Sequence, residues 1–118
     1  EVTERWGADA ARAGERWWGA MDPGQKQSWQ QQTAQLGADW QAAAASGVAP
    51  DSDAAQALAE RHVAWLAGIP GTPGAVKGYV LGLGDMYVAD ERFAANYGGV
   101  EGASFVRDAL RVYAEARL

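Results

Sequence analysis

The sequence predicts an all-α domain, and three observations carry that expectation. Alanine is abundant and β-branched residues are sparse. Apolar residues recur at steps of three and four along most of the chain. The interruptions are short and made of Gly, Pro, Ser and Asp, which cap or stop helices. The chain has 118 residues, the length of one domain, without an internal repeat or a low-complexity tract.

The elements follow in order. A first helix is expected over about 2–19, where Val2, Trp6, Ala10, Ala13 and Trp17 share a face. Gly7 and Gly14 each weaken it by about 1 kcal/mol against alanine. Neighbours on a helix point about 100° apart, so Trp18 lies off the face of Trp17. A second helix begins at Asp22-Pro23, an N-cap followed by a proline suited to the first turn. It runs to about Ala45 with Trp29, Thr33, Leu36, Trp40 and Ala43 on one stripe, and Gly47 ends it. A third helix starts at Ser52 or Asp53 and reaches about Ala67, its stripe being Ala55, Leu58, His62, Trp65 and Leu66. "GIPGTPG", residues 68–74, cannot continue it and reads as a loop of restricted backbone.

A fourth helix is expected over about 75–88, with Val76, Tyr79, Val80, Leu83, Met86 and Tyr87 on a broad apolar face. Gly78 and Gly82, four apart, give it a bare face that a helix or a ligand would approach. A shorter helical stretch covers Asp90 to Tyr97 and ends at Gly98-Gly99. A fifth helix spans about Gly102 to Arg117, with Phe105, Val106, Ala109, Leu110, Val112 and Tyr113 inward.

The net charge of −5 repels phosphate backbones and argues against direct nucleic-acid contact by this chain. No apolar run approaches the roughly 20 residues of a membrane span. There are no cysteines, which removes disulfides, thiolate catalysis and thiolate metal sites and fits the cytoplasm. His62, the one histidine, sits on an inner stripe and reads as a buried, hydrogen-bonded side chain. Asp51 and Asp53 read as helix-start residues, and "GLGD" at 82–85 lacks the context of a dinucleotide loop. No enzyme, metal or cofactor is therefore expected. Binding remains. Helix stripes absorb Trp29, Trp40, Trp65 and Phe105 into a core, whereas Trp18, Tyr79, Tyr87 and Tyr97 are surplus to it. Surplus aromatics in a helical domain suit a cleft for a flat apolar ligand.

"ERWG" (4–7), "DSDAAQALAERHVAWL" (51–66) and above all "GLGDMYVADERFAANY" (82–97) resemble the TipAS antibiotic-recognition domain, the C-terminal part of certain MerR-type bacterial transcription activators. The resemblance implies a globin-like helical fold with a central cleft that binds bulky heteroaromatic antibiotics such as thiopeptides. It implies a DNA-binding winged-helix domain and a dimerising helix upstream, so that the parent protein is a homodimer; a first residue of Glu1 rather than Met likewise suggests an excised piece. Ligand contacts are expected from Leu83, Tyr87, Phe93 and Tyr97 in the matching block, from Trp29, His62, Trp65 and Tyr79, and from Trp17 and Trp18 on residues 1–20, which the resemblance implies form a mobile lid. Thiopeptide-capturing members carry a cysteine after the third helix that bonds the drug. Here "GIPGTPGAVKGY" has none, so capture is non-covalent. The alternatives are a stand-alone protein of the same fold that sequesters drug, and a module whose aromatic groove takes a partner helix.

Overall fold

The computed structural model describes residues 12–70 and 74–118. Val2, Trp6 and Ala10 of the first stripe, the "ERWG" segment and the middle of the "GIPGTPG" loop lie outside the described residues. Residues 12–20 are helical (α1), and α2 is Pro23–Ser46. The start of α2 is a reciprocal capping box. The Gln25 backbone N–H donates to Asp22 Oδ1 at 2.8 Å, and the Asp22 N–H donates to Gln25 Oε1 at 2.9 Å. Gly47, with φ at 79°, closes the helix in the left-handed conformation. Helix α3 is Asp53–Ala67, with Ser52 Oγ accepting from the Ala55 N–H at 3.2 Å. Helix α4 is Lys77–Ala89. Asp90 ends it and caps the short α5, Glu91–Ala94, by accepting from the Arg92 N–H at 2.9 Å. A 3-10 turn, Ala95–Tyr97, leads through Gly98 (φ 86°) into α6, Val100–Arg117. No strand occurs among the described residues, and the fold is all-α as expected.

Helix α6 is the hub. It packs most extensively along α4 and also on α2 and α3. The pattern of small residues explains how closely: Ala103 and Ala109 are fully buried on α6. At Gly84 of α4 a Cβ would stand 3.3 Å from the Arg107 Cα, so glycine lets the two backbones meet. The core centre is Trp40, His62, Val80, Val106 and Leu110, contributed by four helices. Burying side chains of this kind is worth roughly 2–3 kcal/mol each.

Four expectations need correction. Val76 is the residue before α4 and not part of its apolar face, and it is 51% exposed. Val112 turns outward at 37% exposure, because the inward stripe of α6 runs through Ala109, Leu110 and Ala114. Gly78 and Gly82 approach nothing: both are exposed, with no atom within 4 Å of where a Cβ would stand. Helix α6 also starts at Val100 and not at Gly102. Gly102 sits inside its first turn because a Cβ there would overlap the Tyr97 carbonyl oxygen.

Candidate functional site

An aromatic cleft of about 440 Å³ is bounded by α2, α3, the end of α4, α5 and the 3-10 turn. Helix α2 supplies Trp29 and Thr33 on one side and Leu36 and Gly37 further along. Helix α3 supplies Trp65, α4 supplies Tyr87, and the α5 segment supplies Phe93, Asn96 and Tyr97.

Each aromatic is positioned by an identifiable contact. Trp29 and Trp65 stack with centroids 5.8 Å apart and an interplanar angle of 28°. Thr33 fixes the pair. Its Oγ1 accepts from the Trp65 indole N–H at 3.1 Å and donates to the Trp29 carbonyl at 3.0 Å. Opposite, Tyr87 packs on Tyr97 at 5.2 Å and on Phe93 at 6.0 Å. Two glycines let the turn that carries Tyr97 fit. At Gly37 a Cβ would stand 3.0 Å from the Asn96 carbonyl oxygen, and at Gly102 it would overlap that of Tyr97. Gln41 Nε2 then donates to the Asn96 carbonyl at 3.0 Å, tying the turn to α2.

Behind the cleft wall lies His62, fully buried. The Trp40 indole N–H donates to His62 Nδ1 at 3.2 Å. An indole can only donate, so Nδ1 accepts and the ring proton sits on Nε2. Nε2–H therefore donates to the Tyr87 hydroxyl oxygen at 3.1 Å. Burial holds the His62 pKa down, to about 4, so the ring is neutral at physiological pH. Burial also raises the Tyr87 phenol above its usual range and pushes Tyr97 up to about 12. Every polar group along this wall is thus neutral. Among the described residues no charged side chain lines the cleft. The cleft can hold a flat apolar body by stacking and can meet polar edges with the Gln30 and Asn96 side chains and the Trp29 indole N–H.

Of the ten residues named from the sequence, the structure brings Trp29, Trp65, Tyr87, Phe93 and Tyr97 to this one cleft. His62 stands behind them as support. Tyr79 and Leu83 are half-buried against the core and line neither this cleft nor the one beside α1. Trp17 and Trp18 both meet Trp29 from outside the cleft, at 5.3 and 6.0 Å and at interplanar angles of 80° and 77°. Trp18 is also covered by Lys26, whose Nζ is 5.2 Å from the ring centroid. Both neighbours on α1 therefore find the same partner, Trp29, and also meet each other at 6.3 Å. Thr33 was legible as a stripe residue but not as the clasp of the tryptophan pair. Gln30, Gly37, Gln41 and Asn96 carry no pattern; the only signal was a glycine in mid-helix at position 37, which marks a close approach.

Among the described residues there is no helix long and apolar enough to cross a membrane, and no group of three or more His, Cys, Asp or Glu that could hold a metal ion. The sequence pattern of the TipAS antibiotic-recognition domain matches residues 1–113. Neither the curated proteins nor the solved structures contain a significant match to this chain.

Proposed function

The chain belongs to the TipAS antibiotic-recognition domain family, and on that premise we propose that its cleft binds bulky hydrophobic, heteroaromatic antibiotics non-covalently, as the effector part of a MerR-type transcription regulator. The observation that carries this reading is the convergence of Trp29, Trp65, Tyr87, Phe93 and Tyr97 on one uncharged cleft of about 440 Å³. That volume falls in the ordinary range for drug-sized ligands, roughly 300–1,000 Å³. Each aromatic pair with a ligand ring adds about 0.5–1.5 kcal/mol beyond area burial. With no cysteine in the sequence, a thioether to the drug cannot form, and affinity rests on stacking and desolvation.

In this reading the domain works in the cytoplasm within a parent dimer, and α1 is the part that responds. Trp17 and Trp18 rest on Trp29, so a ligand stacked on Trp29 alters what holds α1. The response of an attached DNA-binding domain is limited to the ligand's differential affinity for the two arrangements. The test is a titration of thiopeptides and other heteroaromatic antibiotics against tryptophan fluorescence and melting temperature, with amide exchange in residues 12–20. Quenching, a raised melting temperature and slower exchange are expected. A panel without effect on emission or melting would remove the drug-sensing reading. Exchange equal in both states would make α1 ordinary scaffold.

A further inference from the structure

A second concavity of about 450 Å³ opens on the other side of Trp29. Its walls are Trp17 and Met21 from the α1 end and Gln25, Ser28 and Gln32 from the outer face of α2. Trp29 is the one residue that lines both clefts. Its ring is stacked on Trp65 beside the first and meets Trp17 at a near-perpendicular angle beside the second. Its indole N–H has no hydrogen-bond partner among the described residues, in contrast to Trp40 and Trp65, which are both pinned through theirs. Trp29 is thus a partition whose ring is held by Trp17, Trp18 and Trp65 and whose backbone carbonyl is held by Thr33.

Resting on the reading of the first cleft as a drug site, we infer that the second cleft is a further subsite, and that the two take one ligand without an anionic group, made of two linked flat ring systems, one on each side of Trp29. The chemistry of the walls fixes the class. Among the described residues no charged side chain lines either cleft. An anion carried in would lose its hydration and meet the negative faces of the rings without gaining a cationic partner. The charges nearby on α2 and α3 are occupied: Arg61 Nη1 pairs with Asp39 Oδ2 at 2.8 Å, and Lys26 lies over Trp18. What both clefts do offer is amide. Gln30 and Asn96 stand in the first, and Gln32 and Gln25 in the second. Gln25 spends its oxygen on the Asp22 cap and keeps its NH2 donors. Each subsite therefore presents an aromatic wall and a primary amide, which suits rings bearing nitrogen or carbonyl acceptors.

Linking two ring systems that each fit one subsite makes the second contact intramolecular, worth about 10²–10⁴-fold in affinity without any new contact. The probes are quinoline, a neutral bis-quinoline whose rings are joined by a flexible butane diether, and quinoline-4-carboxylate, each titrated by calorimetry against the 118-residue chain. The bis-quinoline is expected to bind at least about 10²-fold more tightly than quinoline, and quinoline-4-carboxylate about tenfold more weakly. Trp17→Ala is expected to bring the bis-quinoline to within about threefold of quinoline. Gln32→Lys, on the exposed face of α2, repeats the test without truncating a packed ring and is expected to do the same while leaving quinoline itself unchanged. Bis-quinoline binding within about threefold of quinoline in the parent chain, or an equal loss of both probes in both variants, overturns the second subsite. Trp65→Ala separates the two readings. If it abolishes quinoline binding while linking gives no gain, the first cleft stands and only the second falls. If no probe binds the parent chain, both fall.

Discussion

Acidification tests the wall behind the cleft. His62 has an ordinary pKa of 6.5 when unfolded and is held down to about 4 by burial in the native state. Between those values the unfolded chain binds a proton that the native chain does not. Stability therefore rises with pH in this window: it is fully present above 6.5 and is lost as pH falls towards 4. Each pH unit across the window is worth about 1.4 kcal/mol, so moving from about pH 6.5 to about 4.5 removes roughly 2–3 kcal/mol, a large part of a small domain's stability. Asp39 and Asp90 are also held below their ordinary value of 3.8, by Arg61 and Arg92 respectively, but their contributions fade only as pH falls below it. The window therefore isolates the histidine. Urea unfolding at the two pH values measures the loss, and His62→Gln, which cannot titrate, is expected to abolish most of it even though the variant is weaker at both. Because His62 is the only histidine, its ring protons also report directly by NMR, with a titration midpoint near 4 expected. A wild-type loss below about 0.5 kcal/mol, or an undiminished loss in the variant, would refute the neutral Trp40–His62–Tyr87 arrangement.

Three further outcomes follow from the packing. Gly102→Ala forces a methyl into the Tyr97 carbonyl and is expected to destabilise the fold by about 2 kcal/mol or more, with a lowered melting temperature and weakened ligand binding. Gly82→Ala adds a methyl in open space within α4 and is expected to stabilise by about 0.5–1 kcal/mol in urea melts; a loss would mean that the bare face is covered. Thr33→Val keeps the shape but leaves the Trp65 indole N–H without its acceptor; about 1–2 kcal/mol of stability is expected to go, together with ligand-induced tryptophan quenching.

Local chemistry made most of the helices legible. Asp22-Pro23 and Gly47 bound α2, and Ser52 starts α3, because capping acts through neighbours in sequence. Helix α6 escaped by two residues: Gly99 caps it without a side chain, and Gly102 resembles a start signal until the Tyr97 carbonyl against it is seen. Periodicity gave direction around a helix but not depth along it. Trp29 and Trp40 share a stripe of α2, yet Trp40 is fully buried on His62, while Trp29, three turns earlier, reaches past α3 and stays half-exposed. The same limit hid the partner of Trp18, which depends on how α1 meets α2. The division of aromatics into core and surplus does not hold: Tyr87 and Tyr97 are buried core residues that also wall the cleft, Trp29 and Trp65 line it and are only partly buried, and Trp18 and Tyr79 lie outside it. The amides and glycines that shape it have no sequence signature of their own.

The most direct test of the cleft uses the indole N–H resonances as an antibiotic from the heteroaromatic panel is added. Trp29, whose indole N–H has no partner among the described residues, and Trp65 are expected to shift first and most. Trp40, buried and bonded to His62, is expected to move least. Saturable shifts at Trp29 and Trp65 would support the aromatic cleft as the binding site. Saturable binding that leaves both unmoved would contradict it.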